Sequence, residues 1–108
     1  MPLIYLSGPM TKDPDYRENF EFFEKVLEGL FGYKVFNPVH LSDRIIKQLG
    51  FTEEKAWLPE NREIFLREDI RAMLTCDAVV MLPNWRKSKG AKLEHKIAKL
   101  MNMEIVYV

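Results

Sequence analysis

The sequence predicts a small doubly wound α/β domain, a parallel sheet of four to five strands in the order 2-1-3-4 with helices on both faces. Three observations predict it. Short apolar runs alternate with segments of helical period, each run is continuous rather than alternating in polarity, and turn residues close the runs. With right-handed crossovers and strand two beside strand one, the chain reverses direction between strands one and three, the place where such sheets bind ligands. The domain is therefore Rossmann-like or flavodoxin-like. Residues 1–108 form it as one unit, because 47% hydrophobic residues fill a single core and leave no room for a second.

The elements follow in order. Leu3-Ile4-Tyr5-Leu6 reads as a buried strand closed by the turn Ser7-Gly8-Pro9. From Tyr16 to Phe31, Phe20, Phe23, Val26, Leu27 and Leu30 recur at helical spacing, and Gly32 stops the helix. Lys34-Val35-Phe36 is the second strand. The segment from His40 to Pro59 reads as an insertion: Leu41, Ile45, Ile46 and Leu49 predict a short helix ending at Gly50, before an irregular stretch with Trp57. A helix from Asn61 to Thr75, a strand from Ala78 to Leu82, a helix from Ser88 to Met101 and a strand from Glu104 to Val108 complete the pattern.

Composition narrows the partners. Sixteen basic and sixteen acidic residues cancel, which argues against a nucleic-acid polymer or an anionic membrane and leaves small anions. Cys76 is the single cysteine, so neither a disulfide nor a thiolate metal cluster is expected, and His40 and His95 lack metal-ligand spacing. No apolar run reaches the roughly 20 residues that span a bilayer, and the start Met-Pro-Leu-Ile-Tyr-Leu lacks a signal pattern. A cytoplasmic location is expected. Gly-x-Ser-x-Gly, the P-loop pattern and Gly-x-Gly-x-x-Gly are all missing, so no cofactor is expected.

Ser88-Lys89-Gly90-Ala91-Lys92-Leu93-Glu94 carries the most chemistry. With Ser88 as N-cap, the N–H groups of Lys89, Gly90 and Ala91 make an anion site, and Gly90 lets a ligand come close. Glu94, flanked on its helix by Gly90, Ala91, Ile97 and Ala98, faces inward; the plainer reading is an ordinary capped helix with a chance acid. Asp69 sits mid-helix among Phe65, Leu66, Ala72 and Met73, which buries it and raises its pKa, unless it pairs with Arg67 or Arg71. Two carboxylates beside an anion site suit glycosidic chemistry on a nucleotide. Tyr5 either donates to Glu94 or is plain core, and Trp85 either stacks on a base or shields the pocket. The turn Ser7-Gly8-Pro9-Met10 lies at the same switch point. Lys12, Arg17, Lys87 and Lys89 either assist a phosphate or are solvated charges.

Three blocks, Tyr5-Leu6-Ser7-Gly8-Pro9-Met10-Thr11, Arg67-Glu68-Asp69-Ile70 ahead of Cys76-Asp77-Ala78-Val79-Val80, and Ser88 to Glu94, resemble the nucleoside 2-deoxyribosyltransferase superfamily, nearest to its short DUF4406-type branch. The resemblance spans nearly the whole chain. It implies cleavage of the bond between base and deoxyribose, as in the 2′-deoxynucleoside 5′-phosphate N-hydrolases, with Glu94 as nucleophile, Asp69 assisting the base, Tyr5 beside them and Ser88 as phosphate ligand. Enzymes of the superfamily continue past the last strand into a neighbouring subunit's site, whereas this sequence stops at Val108. Three outcomes stay open: the 40–59 segment takes that place, the site is more open, or turnover is lost.

The expectation is an N-glycosidase or deoxyribosyltransferase acting on a small nucleotide or nucleoside, with Glu94, Asp69 and Tyr5 catalytic and Ser7, Gly8, Pro9, Met10, Trp85, Ser88 and Gly90 binding substrate. Two alternatives are a nucleotide-binding module without turnover and an interaction protein using Met73, Leu100, Met101 and Met103 as an apolar surface. A homo-oligomer is expected under each, since a thin four-stranded domain leaves helix faces to cover.

Overall fold

The computed structural model describes residues 2–11 and 13–108. Its strands β1 (Leu3–Ser7), β2 (Lys34–Phe36), β3 (Ala78–Met81) and β4 (Glu104–Tyr107) form one parallel sheet in the order β2-β1-β3-β4. This is the predicted order. Helices α1 (Tyr16–Phe31), α2 (Pro38–Leu49), α3 (Glu53–Ala56), α4 (Arg62–Leu74) and α5 (Lys89–Leu100) connect the strands.

The two-residue period of the central strands divides the core in two. Ile4 and Leu6 of β1, with Ala78 and Val80 of β3, pack against Tyr16, Phe20 and Leu27 of α1. Tyr5, Val79 and Met81 face the other way, toward Met73 of α4 and Ala91 and Ala98 of α5. Any polar side chain placed on β1 in phase with Tyr5 therefore points at α5. Ser7 is in that phase.

Local chemistry sets the boundaries. Gly32 and Gly50 both adopt left-handed backbone (φ 68° and 69°) and end α1 and α2 through hydrogen bonds back into their last turns. Asn37 caps α2, its side chain accepting from the Val39 N–H at 2.9 Å, with Pro38 in the first helical position. That cap starts α2 ahead of His40, where the sequence had placed the insertion.

The 40–59 segment, read as an insertion, packs into the molecule: Ile45 of α2, Ala56 of α3 and Phe65 of α4 form a third buried cluster. One expectation needs correction. Met73 is not surface but fully buried, because it lies one turn beyond Asp69 on the face of α4 that meets the sheet. Leu100 and Met101 are exposed, while Met103 packs against the core. The edge strand β4 leaves Val106 and Tyr107 half exposed, unlike the central strands, since only one of its edges is paired.

Candidate functional site

A cleft of about 540 Å³ opens at the C-terminal ends of β1 and β3. The turn after β1 (Gly8, Pro9 and Met10) forms one side, and the segment after β3 (Asn84 and Lys87 to Gly90) forms another. Gly8 is fixed by packing, since a Cβ there would stand 2.8 Å from the Leu82 Cβ. Gly90 is different: a Cβ would meet only Leu66 at 3.7 Å and Ser88 at 3.9 Å, so the protein itself tolerates a side chain facing the cleft.

The N-cap of α5 is as expected, with one change. The Ser88 Oγ accepts from the Ala91 N–H at 3.1 Å, so that donor is already used. The N–H groups of Lys89 and Gly90, with the Ser88 hydroxyl proton, are what the cap offers a ligand.

Glu94, in the second turn of α5, is buried against β1. The Tyr5 hydroxyl donates to its Oε2 and the Ser7 hydroxyl to its Oε1, each at 2.6 Å. Burial pushes the carboxyl up to about 7, while the Ser7 and Tyr5 hydrogen bonds act the other way by favouring its ionised form. The Tyr5 hydroxyl is pushed well above its ordinary value, by burial first and then by the charge of Glu94, and so remains a donor.

Asp69 lines the same cleft from α4. Its neighbours Arg67 and Arg71 pair instead with Glu63 and Glu68, so the salt-bridge reading of Asp69 fails. Its Oδ1 is buried with no hydrogen-bond partner among the described residues. Burial, then the charges of Glu94 and Glu68, push Asp69 up to about 9. At neutral pH this carboxyl holds its proton, while Glu94, at about 7, is the more readily ionised of the two. Leaving two acids buried without a cation is costly, and such a cost is characteristic of functional sites.

Trp85 is not part of this cleft. It occupies a 3-10 turn (Trp85–Lys87), and its ring stacks on His95 at 4.3 Å, with Tyr107 at 6.1 Å. His95 follows Glu94 by one residue, about 100° around the helix, so the indole seated on it faces away from the acid. Arg17 is also engaged elsewhere, as a bidentate partner of Asp43. Lys87 and Lys89 do line the cleft, and Lys12 lies outside the described residues.

Sequence reasoning missed the opposite wall. Trp57 and Leu58 line the cleft, as do Arg62, Phe65 and Leu66 of α4. Arg62, Phe65, Leu66 and Asp69 fall at i, i+3, i+4 and i+7, a signal that could have been read outward from Asp69. Trp57 offered no such signal, because its place depends on how α2 and α3 fold back.

Among the described residues, no three His, Cys, Asp or Glu side chains are grouped to hold a metal ion, and no helix is long and apolar enough to cross a membrane. Fold and cleft together define a Rossmann-like α/β domain with a buried acid pair at its switch point. The family model of a domain of unknown function, DUF4406, matches residues 2–107, and the chain belongs to that family. No curated protein and no solved structure matches it.

Proposed function

We propose that this protein is an N-glycosidase that cleaves the base–deoxyribose bond of a small deoxynucleotide, as the resemblance to the nucleoside 2-deoxyribosyltransferase superfamily implies. One observation carries the reading: Glu94, gripped by Tyr5 and Ser7, shares a cleft with Asp69, whose buried Oδ1 has no partner among the described residues. A nucleophile must be ionised and a leaving-group acid must not. Burial raises both carboxyls but sets them apart, about 7 for Glu94 and about 9 for Asp69, so between these values Glu94 is mostly ionised while Asp69 keeps its proton.

In this mechanism a Glu94 oxygen attacks C1′ as the C1′–N bond breaks, and the Asp69 proton passes to the departing base. Tyr5 and Ser7 stabilise the carboxylate before attack and again when it leaves. Water then attacks C1′, its proton goes to the ionised Asp69, and Glu94 is released; a second base in place of water gives transfer instead. The Ser88 hydroxyl and the N–H groups of Lys89 and Gly90 hold a 5′-phosphate, with Lys87 and Lys89 at the rim. Cytoplasmic residence and a homo-oligomer belong to the same proposal, the exposed Leu100 and Met101 supplying apolar surface for association.

The test is chromatographic detection of free base from a panel of deoxy- and ribonucleoside monophosphates and their unphosphorylated forms. Release from a deoxynucleoside monophosphate that disappears in Glu94→Gln is the expected result. No release from any member by folded protein would remove the glycosidase reading, and nucleotide binding that persists would then mark a binding module.

A further inference from the structure

The wall opposite Glu94 is held by a polar clamp. Trp57 follows the four-residue helix α3 and lines the cleft, its ring edge-on to Tyr16 (6.1 Å, 90°) and tilted against Phe65 (5.4 Å). The Tyr16 hydroxyl donates to Glu53 Oε1 at 2.7 Å. Arg17, next to Tyr16 on α1, bonds both oxygens of Asp43 on α2 at 2.9 and 2.7 Å, and its guanidinium reaches Glu53 at 3.5 Å. Arg17 thus joins α1 to Asp43 of α2 and Glu53 of α3 at one point, and Glu53 stands four residues before Trp57. The Tyr16 hydrogen bond, Arg17 and Trp57 together hold its carboxyl below the usual range.

A four-residue helix has little stability of its own, so something else must fix the ring that follows it. The clamp and the two aromatic contacts do so. Apart from the acids on the floor and Arg62, the wall beside Asp69 is apolar, formed by Trp57, Leu58, Phe65 and Leu66. An apolar wall beside a buried carboxyl with an unpartnered oxygen suits a flat heteroaromatic ring with a polar edge better than it suits a sugar or a phosphate.

We infer that Trp57 is the contact that recognises the planar base of the ligand, and that Glu53, Tyr16, Arg17 and Asp43 are positioning residues that set its ring. The inference rests on the reading of the cleft as a nucleotide site and adds how that site selects its ligand. It also separates two ligand regions: the phosphate answers to the start of α5, the base to Trp57. Weakening the clamp affects the second and spares the first.

The chain has two tryptophans, and only Trp57 lines the cleft, so Trp85→Phe leaves a single reporter there. Deoxynucleoside 5′-monophosphates and 2-deoxyribose 5-phosphate are titrated into this variant combined with Glu94→Gln, which stops turnover, with Trp57 fluorescence and calorimetric heat recorded on the same samples. The expected result is a saturable fluorescence change with the nucleotides and none with the sugar phosphate, though both bind by calorimetry. Glu53→Ala is expected to weaken nucleotide binding about threefold to tenfold, in line with a partly exposed clamp, and to leave sugar phosphate binding unchanged. Glu53→Gln, which keeps an acceptor for Tyr16, is expected to recover most of the loss.

Heat of nucleotide binding without any change in Trp57 emission would overturn the inference while leaving the proposed function standing. An equal change with the sugar phosphate, or equal weakening of both ligands by Glu53→Ala, would overturn it too. No heat with any nucleotide would remove the nucleotide site itself, and this inference with it.

Discussion

The floor of the cleft and its clamped rim treat carboxyl groups in opposite ways. At the rim, Asp43 and Glu53 are about half exposed, and hydrogen bonds from Arg17 and Tyr16 respectively hold them below the usual carboxylate range. On the floor, Glu94 and Asp69 are buried without a cation and pushed up to about 7 and about 9. A carboxylate that ties helices together is best ionised and paired, whereas the proposed function asks the floor pair for an ionised nucleophile and a proton donor. The sequence gives all four the same chemistry; the fold assigns the roles.

The largest expected effect breaks the floor outright. Glu94→Gln keeps the size and the hydrogen-bonding oxygen but loses the nucleophile, and kcat for base release is expected to fall by more than ~10³-fold in steady-state assays. Asp69→Asn follows, with an expected loss of about 10²- to 10⁴-fold as the leaving-group proton is removed. In the wild type, kcat/KM should be bell-shaped, rising as Glu94 ionises near about 7 and falling as Asp69 loses its proton near about 9. The upper limb should vanish in Asp69→Asn.

Stability gives an independent view of the same contrast. Asp69 is raised from 3.8 to about 9, so between these values the folded protein retains a proton that the unfolded chain has released. Stability from this group is therefore greatest below pH 3.8 and is lost as pH rises toward 9. Asp69→Asn removes that loss and should raise the melting temperature at pH 8 by about 4 °C or more, with the difference disappearing near pH 3.5. The clamp runs the other way. With Asp43 and Glu53 lowered, its contribution is present above the ordinary carboxylate range and fades on acidification.

Smaller effects sharpen the picture. Gly90→Ala should fold at least as well as wild type, since its Cβ meets nothing closer than 3.7 Å and alanine favours the helix, yet it should weaken phosphate-bearing ligands in calorimetry. Equal binding by this variant would place the phosphate elsewhere. Arg17→Met should cost about 1 kcal/mol or less by denaturant titration, because its partners are partly solvated.

Much of this was legible in the chain. Continuous apolar runs placed the strands, Gly32 and Gly50 ended helices where only they turn easily, and helical spacing put Glu94 and Asp69 inward. Ser88 announced its cap. Other features depend on contacts between distant segments: nothing near Trp85 says that its ring will lie on His95 and Tyr107, and nothing near Trp57 says that it will meet Phe65. The burial of Met73 was readable, since it shares the face of α4 with Asp69, and taking it as surface overlooked that spacing.

The central claim is that Glu94 forms a bond to the sugar. Wild-type protein mixed with its best deoxynucleotide, quenched in acid within the first turnovers and digested, can be examined by peptide mass spectrometry. A deoxyribosyl phosphate adduct on the peptide containing Glu94, and none in Glu94→Gln, is the expected result. Base release at full rate with no adduct, or an adduct on another residue, would contradict it.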